Sequence, residues 1–402
     1  MLNKVILSLL SLLFTLLASG CWDRVEIEDR GFVVGVAIDK AKKQDNKNES
    51  KDRPKGKRRY LVTYQFAIPA GLGGGKAEGG SGTKAYFNLT SEGYAMMEVN
   101  KILASRSSRS PYMEHLQLIV ISDEIVKESR RFQDILDFYI RHPEMRRGTY
   151  LAITKGSAKD VLAVENPSEK LPVMYLISLM NNYRETGTMH EPVKIGDIHA
   201  HLLSGSGYVI PRLMVQPTEV KSAGAAAFRG YDNRLAGWLD EEETEGLNFL
   251  NGEISGGITI AKFGDNLVLY EITRAKREIK VDTSDQHRLK VTFEVKTEGM
   301  IHETLEMEDL LKLATIEDIQ KQVDKEIVRI CTETIEKLQK DFKVDVLGLG
   351  EHLAGDHPRL WEKIKKDWDR GNHLFSDVKI EVKSNAIIRN AGIVNQTEKQ
   401  LD

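Results

Sequence analysis

Cys21 is the residue whose type and setting most directly indicate chemistry. It follows Ala18-Ser19-Gly20, and small residues of this kind fit the binding groove of a signal peptidase. In a lipoprotein box the cysteine thiol receives a diacylglyceryl group and the cysteine becomes the first residue after cleavage. The position three before the cysteine is Ala18 where leucine is usual, and the leucine lies one place earlier at Leu17. We therefore predict that Cys21 is the attachment site of a lipid anchor.

Residues 1–20 have the pattern of an export signal. Met1 to Lys4 supply a positive start, and Val5 to Leu17 form an almost unbroken apolar run of 13 residues. Such a run is shorter than the ~20 residues that a membrane-spanning helix needs. Two alternatives stay open, namely an ordinary secretory signal followed by a coincidental cysteine and a signal helix that is not cleaved.

Other residues of catalytic or metal-binding type lack the partners that such chemistry requires. His199 and His201 fall in a helical pattern without a third ligand, and His352 and His357 lack the glutamate of metalloprotease spacing. Gly205-Ser206-Gly207 is a partial nucleophile elbow whose leading glycine is missing. The sequence predicts no enzyme activity, no cofactor and no metal site.

The composition is that of an ordinary globular protein. Its 402 residues are 41% hydrophobic and 29% charged, and the formal net charge of −3 is not that of a nucleic-acid-binding protein. The chain has two cysteines, so an acylated Cys21 leaves Cys331 without a disulfide partner. We expect Cys331 to be a small core residue, because it lies beside the apolar stripe of a helix.

The part of the chain that follows Cys21 alternates between strand and helix patterns. The β-branched segment Gly31–Asp39 predicts a buried strand with Tyr60–Ile68 as its partner, and an amphipathic helix capped by Ser91 follows. Further strands and helices alternate as far as Leu203. This pattern predicts a mixed α/β N-terminal domain over residues 21–205.

Two low-complexity segments interrupt this domain. Lys40–Arg59 contains ten basic and three acidic residues, which is typical of a solvated insertion; attraction to an anionic membrane is the alternative. The glycine-rich stretch Gly71–Gly82 contains Lys76, but Ala77 stands where a phosphate-binding loop has Ser or Thr. We interpret the second segment as a flexible connection.

The rest of the chain predicts two further domains and an α+β fold with three domains in all. Short strands around Asp232-Asn233 and an acidic helix start at Asp240 indicate a small β-rich middle domain over residues 206–252. Recurring strand patterns then predict an antiparallel sheet within residues 253–395. A long amphipathic helix over Thr315–Phe342, with Thr315 as its cap, packs on that sheet.

Several short motifs in a fixed order resemble one known family. They are Gly20-Cys21-Trp22-Asp23, Arg141-His-Pro-Glu-Met-Arg146, Leu235-Ala-Gly-Trp238-Leu239-Asp-Glu-Glu-Glu243, and the set Pro358, Trp361, Trp368 and Phe375. Together they resemble the Ger(x)C family, the C-subunit lipoproteins of bacterial spore germinant receptors.

The resemblance implies a non-catalytic protein without a cofactor, tethered to the outer face of the spore inner membrane. It implies assembly with two polytopic membrane subunits into a complex that responds to small nutrients and triggers germination. Only Cys21 carries over as a functional position, and whether this subunit contacts the nutrient stays open. A substrate-binding lipoprotein of a membrane transporter is the alternative, and a lipoprotein hydrolase ranks below both.

Overall fold

A computed structural model describes residues 26–42, 56–73, 84–128, 130–284, 289–304 and 313–390, together with Asn3, Lys4 and Ile6. Cys21 lies outside the described residues. Residues 43–55 of the basic segment Lys40–Arg59 and residues 74–82 of the glycine-rich stretch Gly71–Gly82 also lie outside them.

The described residues form two sheets, of which the first contains ten strands. These are β1 Arg30–Lys40, β2 Tyr60–Ala67, β3 Tyr86–Gly93, β4 Ser110–Tyr112, β5 Leu118–Ser122, β6 Tyr150–Thr154, β7 Val193–Lys194, β8 Tyr208–Val215, β9 Val220–Arg229 and β10 Arg234–Leu239. The strand order is β10-β9-β8-β6-β5-β1-β2-β3, with β4 beside β1 and β7 beside β6.

The first sheet is parallel in its centre and antiparallel at both sides. β1, β5, β6 and β8 run parallel to one another, whereas β2 and β3 on one side and β9 and β10 on the other pair antiparallel. The parallel strands require crossovers, and helices supply most of them. The predicted pairing of Gly31–Asp39 with Tyr60–Ile68 is confirmed.

Seven helices accompany this sheet within the described residues. They are α1 Pro69–Leu72, α2 Met96–Ala104, α3 Asp123–Val126, α4 Arg131–Arg141, α5 Ala158–Ala163, α6 Pro172–Asn181 and α7 Ile195–Ser204. Alternate residues of β5 point to opposite faces, so Ile119 and Ile121 join a core with α2, α4 and α7. Leu118 and Val120 join a second core with α5 and α6.

The predicted helix cap at Ser91 is wrong. Ser91 lies in β3, where its backbone is paired with Val62, and α2 begins five residues later at Met96. The Glu98 carboxylate accepts a hydrogen bond from the Tyr94 backbone N–H at 2.7 Å. A serine before a helical pattern is therefore not enough to mark the helix start when the preceding strand continues through it.

The second sheet contains four strands in sequence order. These are β11 Ile258–Phe263, β12 Asn266–Asp282, β13 Lys290–Thr304 and β14 Lys379–Asn390. The helices of this half are α8 Glu241–Asn251, α9 Leu313–Glu336, α10 Leu349–Asp356 and α11 Pro358–Ile364. A π-helix over Lys337–Phe342 continues α9.

The α+β class is confirmed, with differences in detail. β12 is one strand of 17 residues, whereas the recurring sequence pattern predicts two separate strands over 267–273 and 278–282. β14 pairs parallel with β13, because the helices after β13 carry the chain back across the sheet. Thr315 lies inside α9, which extends back at least to Leu313, so the predicted cap at Thr315 is wrong.

The segment predicted as a middle domain bridges both halves. β8, β9 and β10 extend the first sheet, whereas α8 packs in the core of the second half. The Asp240 carboxylate caps α8 by accepting the Glu243 backbone N–H at 2.9 Å, as its acidic start suggested. The domain boundaries at residues 205 and 252 stay a prediction.

Contact between α8 and α9 depends on a glycine. A Cβ added at Gly246 would lie 2.2 Å from the Thr334 hydroxyl oxygen and 2.8 Å from the Ile330 carbonyl oxygen. Overpacking of this kind costs about 1–3 kcal/mol, more than alanine gains in helix propensity. We expect Gly246→Ala to lower the free energy of unfolding by about 1–3 kcal/mol in urea denaturation.

Gly355→Ala is the matched control for this substitution. Gly355 also lies in a helix, α10, but no atom lies within 4 Å of its added Cβ. The control should raise stability by up to about 1 kcal/mol. Equal effects of the two substitutions would contradict the close packing of α8 against α9.

Candidate functional site at the groove between the two sheets

A groove of about 1060 Å³ lies between the two halves of the chain. One wall consists of the end of α7, residues 204–208 and the turn between β9 and β10. The other wall consists of residues 345–351 and the segment from Trp361 to Arg370. Asn251, Glu253 and Arg277 line it as well. Concave surfaces between domains are preferred binding sites in proteins, so this groove is the candidate functional site.

Asp345 organises the second wall. Its buried carboxylate accepts hydrogen bonds from the backbone N–H groups of Leu347 at 2.9 Å and Gly350 at 2.7 Å. It also accepts the indole N–H of Trp368 at 2.9 Å. These donors satisfy the carboxylate at the start of α10, where negative charge is favoured. Asp345 therefore fixes the direction in which the chain enters α10.

Aromatic residues that carried the family resemblance pack together in this wall. The Trp361 and Trp368 rings lie 5.6 Å apart edge to face, and the Phe375 ring centre lies 6.0 Å from that of Trp368. Gly350 permits this packing, because an added Cβ would lie 2.7 Å from the Trp361 ring. These aromatic residues of the family motif therefore form a packed cluster that supports the fold.

A second carboxyl group, that of Asp369, lies beside Asp345. Its Oδ1 accepts the Asp345 backbone N–H at 2.9 Å. Burial, followed by the negative charge of Asp345, raises the pKa of Asp369 to about 8. Burial also raises the pKa of Asp345, although its hydrogen-bond donors, which include the Leu349 backbone N–H at 3.3 Å, act to lower it. Sequence reasoning missed this pair, because the two residues lie 24 positions apart without a motif between them.

The structure brings Ser206 of the partial nucleophile elbow together with His201. The Ser206 hydroxyl oxygen lies 2.9 Å from His201 Nδ1, and the Glu351 carboxylate lies 3.9 Å from the same nitrogen. A catalytic triad needs the acid and the nucleophile on opposite ring nitrogens. Burial also lowers the pKa of His201, whose ring stacks on Tyr208 at 5.5 Å. This geometry is not that of a catalytic triad, and the His201 side chain instead packs at the end of α7.

The other histidines considered as candidate ligands, His199, His352 and His357, each have different neighbours. His199 Nδ1 lies 3.3 Å from an Arg147 guanidinium nitrogen, and His352 lies 3.5 Å from Asp356 on the same helix. His357 precedes Pro358 at the start of α11. Within the described part of the chain, no group of three or more His, Cys, Asp or Glu side chains could hold a metal ion.

Sequence reasoning missed a polar cluster on the remaining side of the groove. His190 Nε2 lies 3.6 Å from Glu253 Oε2, and Asn251 donates to the Val346 carbonyl oxygen at 3.4 Å. Arg277 crosses over Gly252, and burial lowers the pKa of its guanidinium group. These side chains come from the loop before β7, from α8 and the loop after it, and from β12, so only the tertiary fold brings them together.

Cys331 is buried in the core of the second half, as expected. Its thiol faces the Gly246 carbonyl oxygen at 3.9 Å, and burial raises its pKa well above the ordinary range for a thiol. Among the described residues, no helix combines the length and apolar character needed to cross a bilayer.

Two family models match nearly the whole chain. The model for the spore germination protein N-terminal domain matches residues 23–215, and the model for the GerAC-like C-terminal domain of spore germination B3 proteins matches residues 223–392. The chain therefore belongs to the Ger(x)C family, the C-subunit proteins of spore germinant receptors.

Individual relatives agree with this membership. Spore germination protein YndF of Bacillus subtilis (strain 168) is 29% identical over 392 residues, which are 95% of each chain. Spore germination protein B3 of the same strain is 28% identical over 389 residues, which are 95% of this chain and 97% of that protein. The crystal structure of the GerBC protein matches with a TM-score of 0.60 at 24% identity, covering 89% of this chain and 97% of that chain. The match to GerBC supports the fold.

The raised pKa of Asp369 predicts that stability falls as the pH rises. The unfolded chain releases this proton near pH 4, whereas the folded chain holds it to about pH 8. Between these values the unfolded state binds fewer protons, so the free energy of unfolding decreases with increasing pH. Asp369→Asn keeps the acceptor oxygen and should gain on the order of 2–5 kcal/mol over wild type near pH 8, and almost nothing near pH 4.

Urea denaturation across this pH range measures the difference between the two proteins. Asp265→Asn is the control, since Asp265 is exposed in the turn between β11 and β12. It should follow the wild-type pH profile. A gain for Asp369→Asn that does not change with pH would show that the folded carboxyl group is ionised throughout.

Proposed function

We propose that this chain is a lipid-anchored, non-catalytic subunit of a spore germinant receptor, required for nutrient-triggered germination. Diacylglyceryl-modified Cys21 holds it at the outer face of the spore inner membrane, where it assembles with two polytopic membrane subunits. The observation that carries the proposal is the pair of family matches, which together span residues 23–215 and 223–392.

The anchor is supported by the position of Cys21 relative to the family domain. The first family match begins at residue 23, two residues after Cys21, and the residues before Cys21 have the pattern of an export signal. One acyl chain binds membranes weakly, whereas the two chains of a diacylglyceryl group anchor a protein stably. Confinement of the chain to the membrane raises its effective concentration near the partner subunits, so individual contacts between subunits need not be strong.

The non-catalytic role is supported by what the polar groups of the groove do. Asp345 holds the start of α10, and the Ser206 hydroxyl lies with Glu351 at a single nitrogen of His201. The side chains that resemble catalytic groups thus stabilise the fold. The transporter-type binding protein is disfavoured because the two sheets differ in size and strand order, whereas such proteins pair two similar lobes.

Substitution of Cys21 tests the anchor. We expect Cys21→Ala to move the protein out of the detergent-extracted membrane fraction, because the alanine side chain cannot be acylated. Cell fractionation followed by immunoblotting measures the distribution. Cys331→Ala is the matched control and should stay in the membrane fraction, since Cys331 is buried. Unchanged fractionation of Cys21→Ala would contradict lipid attachment at this residue.

Assembly is tested separately by solubilising membranes in a mild detergent and purifying the wild-type chain from the extract. Co-purification of two polytopic proteins supports the receptor subunit. Recovery of the chain without them, together with tight binding of a sugar or peptide, would support the transporter alternative.

A further inference from the structure

The direction of β1 decides which part of the first sheet lies near Cys21. Arg30 begins β1, and the parallel pairing sets it beside Ser110 at the start of β4. Five residue steps separate Cys21 from Glu26, the first described residue after Cys21, and they span at most about 18 Å. We call the end of the sheet where β1 begins the entry edge. With an anchor at Cys21, this edge lies close to the bilayer.

Within the first half of the chain, exposed large apolar side chains are more numerous at the entry edge than at the opposite edge. Ile27 precedes β1 and is 62% exposed, Leu72 follows β2 and is 40% exposed, and Phe87 at the start of β3 is 39% exposed. The pairing of Phe66 with Phe87 brings the end of β2 and the start of β3 together. Leu203 and Tyr231 are exposed farther along the same edge.

Charge at the entry edge is mixed. Arg109, Arg146 and Lys194 are exposed there, but Glu28 and Asp29 are exposed beside them. Electrostatic attraction to anionic lipid is therefore largely balanced by repulsion, and the apolar side chains are the groups suited to a lipid surface.

The basic segment Lys40–Arg59 leaves the sheet at the opposite end. β1 ends at Lys40, which pairs with Tyr60 at the start of β2. The pairings of Ile38 with Ile121 and of Ser122 with Thr154 put the ends of β5 and β6 at the same level. At ~3.3 Å per residue this far edge lies about 30 Å from Arg30. The segment is near Cys21 in sequence, but both of its ends are distant from the entry edge.

We propose that the entry edge rests on the bilayer surface, with the side chains of Ile27, Leu72 and Phe87 in the interfacial layer of the lipid. This orientation rests on the proposed anchor at Cys21. It leaves the far edge and the ends of the basic segment facing away from the membrane.

Fluorescence quenching by lipid tests the orientation in the full-length, lipidated chain. Single cysteines replace Ser108 at the entry edge or Lys155 at the far edge, both of which are exposed. Each takes a maleimide fluorophore, whereas Cys331 is buried and an acylated Cys21 has no free thiol. The labelled proteins are reconstituted into phosphatidylcholine vesicles, with and without phosphatidylglycerol, that contain a lipid with a nitroxide near its headgroup.

Flotation of the vesicles tests the membrane anchor independently of the orientation of the protein. We expect the protein to float, and the label on Ser108→Cys to be quenched several-fold more than the label on Lys155→Cys. Because apolar contact determines the orientation, the difference persists in neutral vesicles and in high salt. Protein that does not float overturns the anchor and the orientation with it.

If the protein floats with the vesicles, the anchor is supported, and three results would overturn the proposed orientation. Equal quenching of the two labels would mean that the anchored protein has no preferred orientation on the membrane, or that its entry edge binds a protein partner. Stronger quenching at Lys155→Cys in anionic vesicles means that the basic segment approaches the membrane. Loss of the difference in high salt means that charge determines the orientation.

Paired substitutions test the apolar side chains themselves. Ile27→Ser combined with Leu72→Ser should reduce quenching at Ser108→Cys to the level of Lys155→Cys, while the protein still floats. Met97→Ser combined with Val215→Ser is the control, because both residues are 43% exposed at the far edge. The control pair should leave the difference intact. An undiminished difference in the Ile27 and Leu72 variant overturns their role.

Discussion

The two halves of the protein are joined at β8, β9 and β10, and the two faces of β9 belong to different cores. Alternate side chains of a strand point to opposite sides, so Ala226 and Phe228 of β9 pack in the core of the first sheet. Ala225 and Ala227 pack instead against the helices of the second half. Their small side chains let those helices approach the sheet closely. The groove follows from this joint, because it lies where the two cores diverge.

The family motifs gain a physical meaning from this arrangement. The motif over Leu235–Glu243 comprises most of β10, which lies beside β9, followed by the capping box that starts α8. Trp361 and Trp368 pack on each other in the groove wall that Asp345 fixes. The residues that identify the family therefore hold the two halves and their groove in shape. Buried polar groups such as Asp345 favour one arrangement, because any other would leave them without partners.

Proximity in the sequence is a poor guide to proximity around the anchor. Lys40 is 19 residues from Cys21, yet β1 carries the chain about 30 Å away before the basic segment begins. The glycine-rich stretch is farther along the sequence, but the end of β2 before it and the start of β3 after it lie at the entry edge. Strand direction, which a sequence pattern does not contain, decides which surfaces lie near the bilayer.

The sequence by itself determined what local patterns encode. Hydrophobic periodicity predicted most strands, the long helix α9 and the burial of Cys331, because burial on one face imposes a repeat of two or of 3.6 residues. The export signal before Cys21 is likewise a local pattern. Only the tertiary structure decided the parallel pairing of β14, the proximity of Asp345 to Asp369 and the contact of Ser206 with His201. These depend on which distant segments meet, and the free energy of such contacts is set by packing and burial across the whole fold.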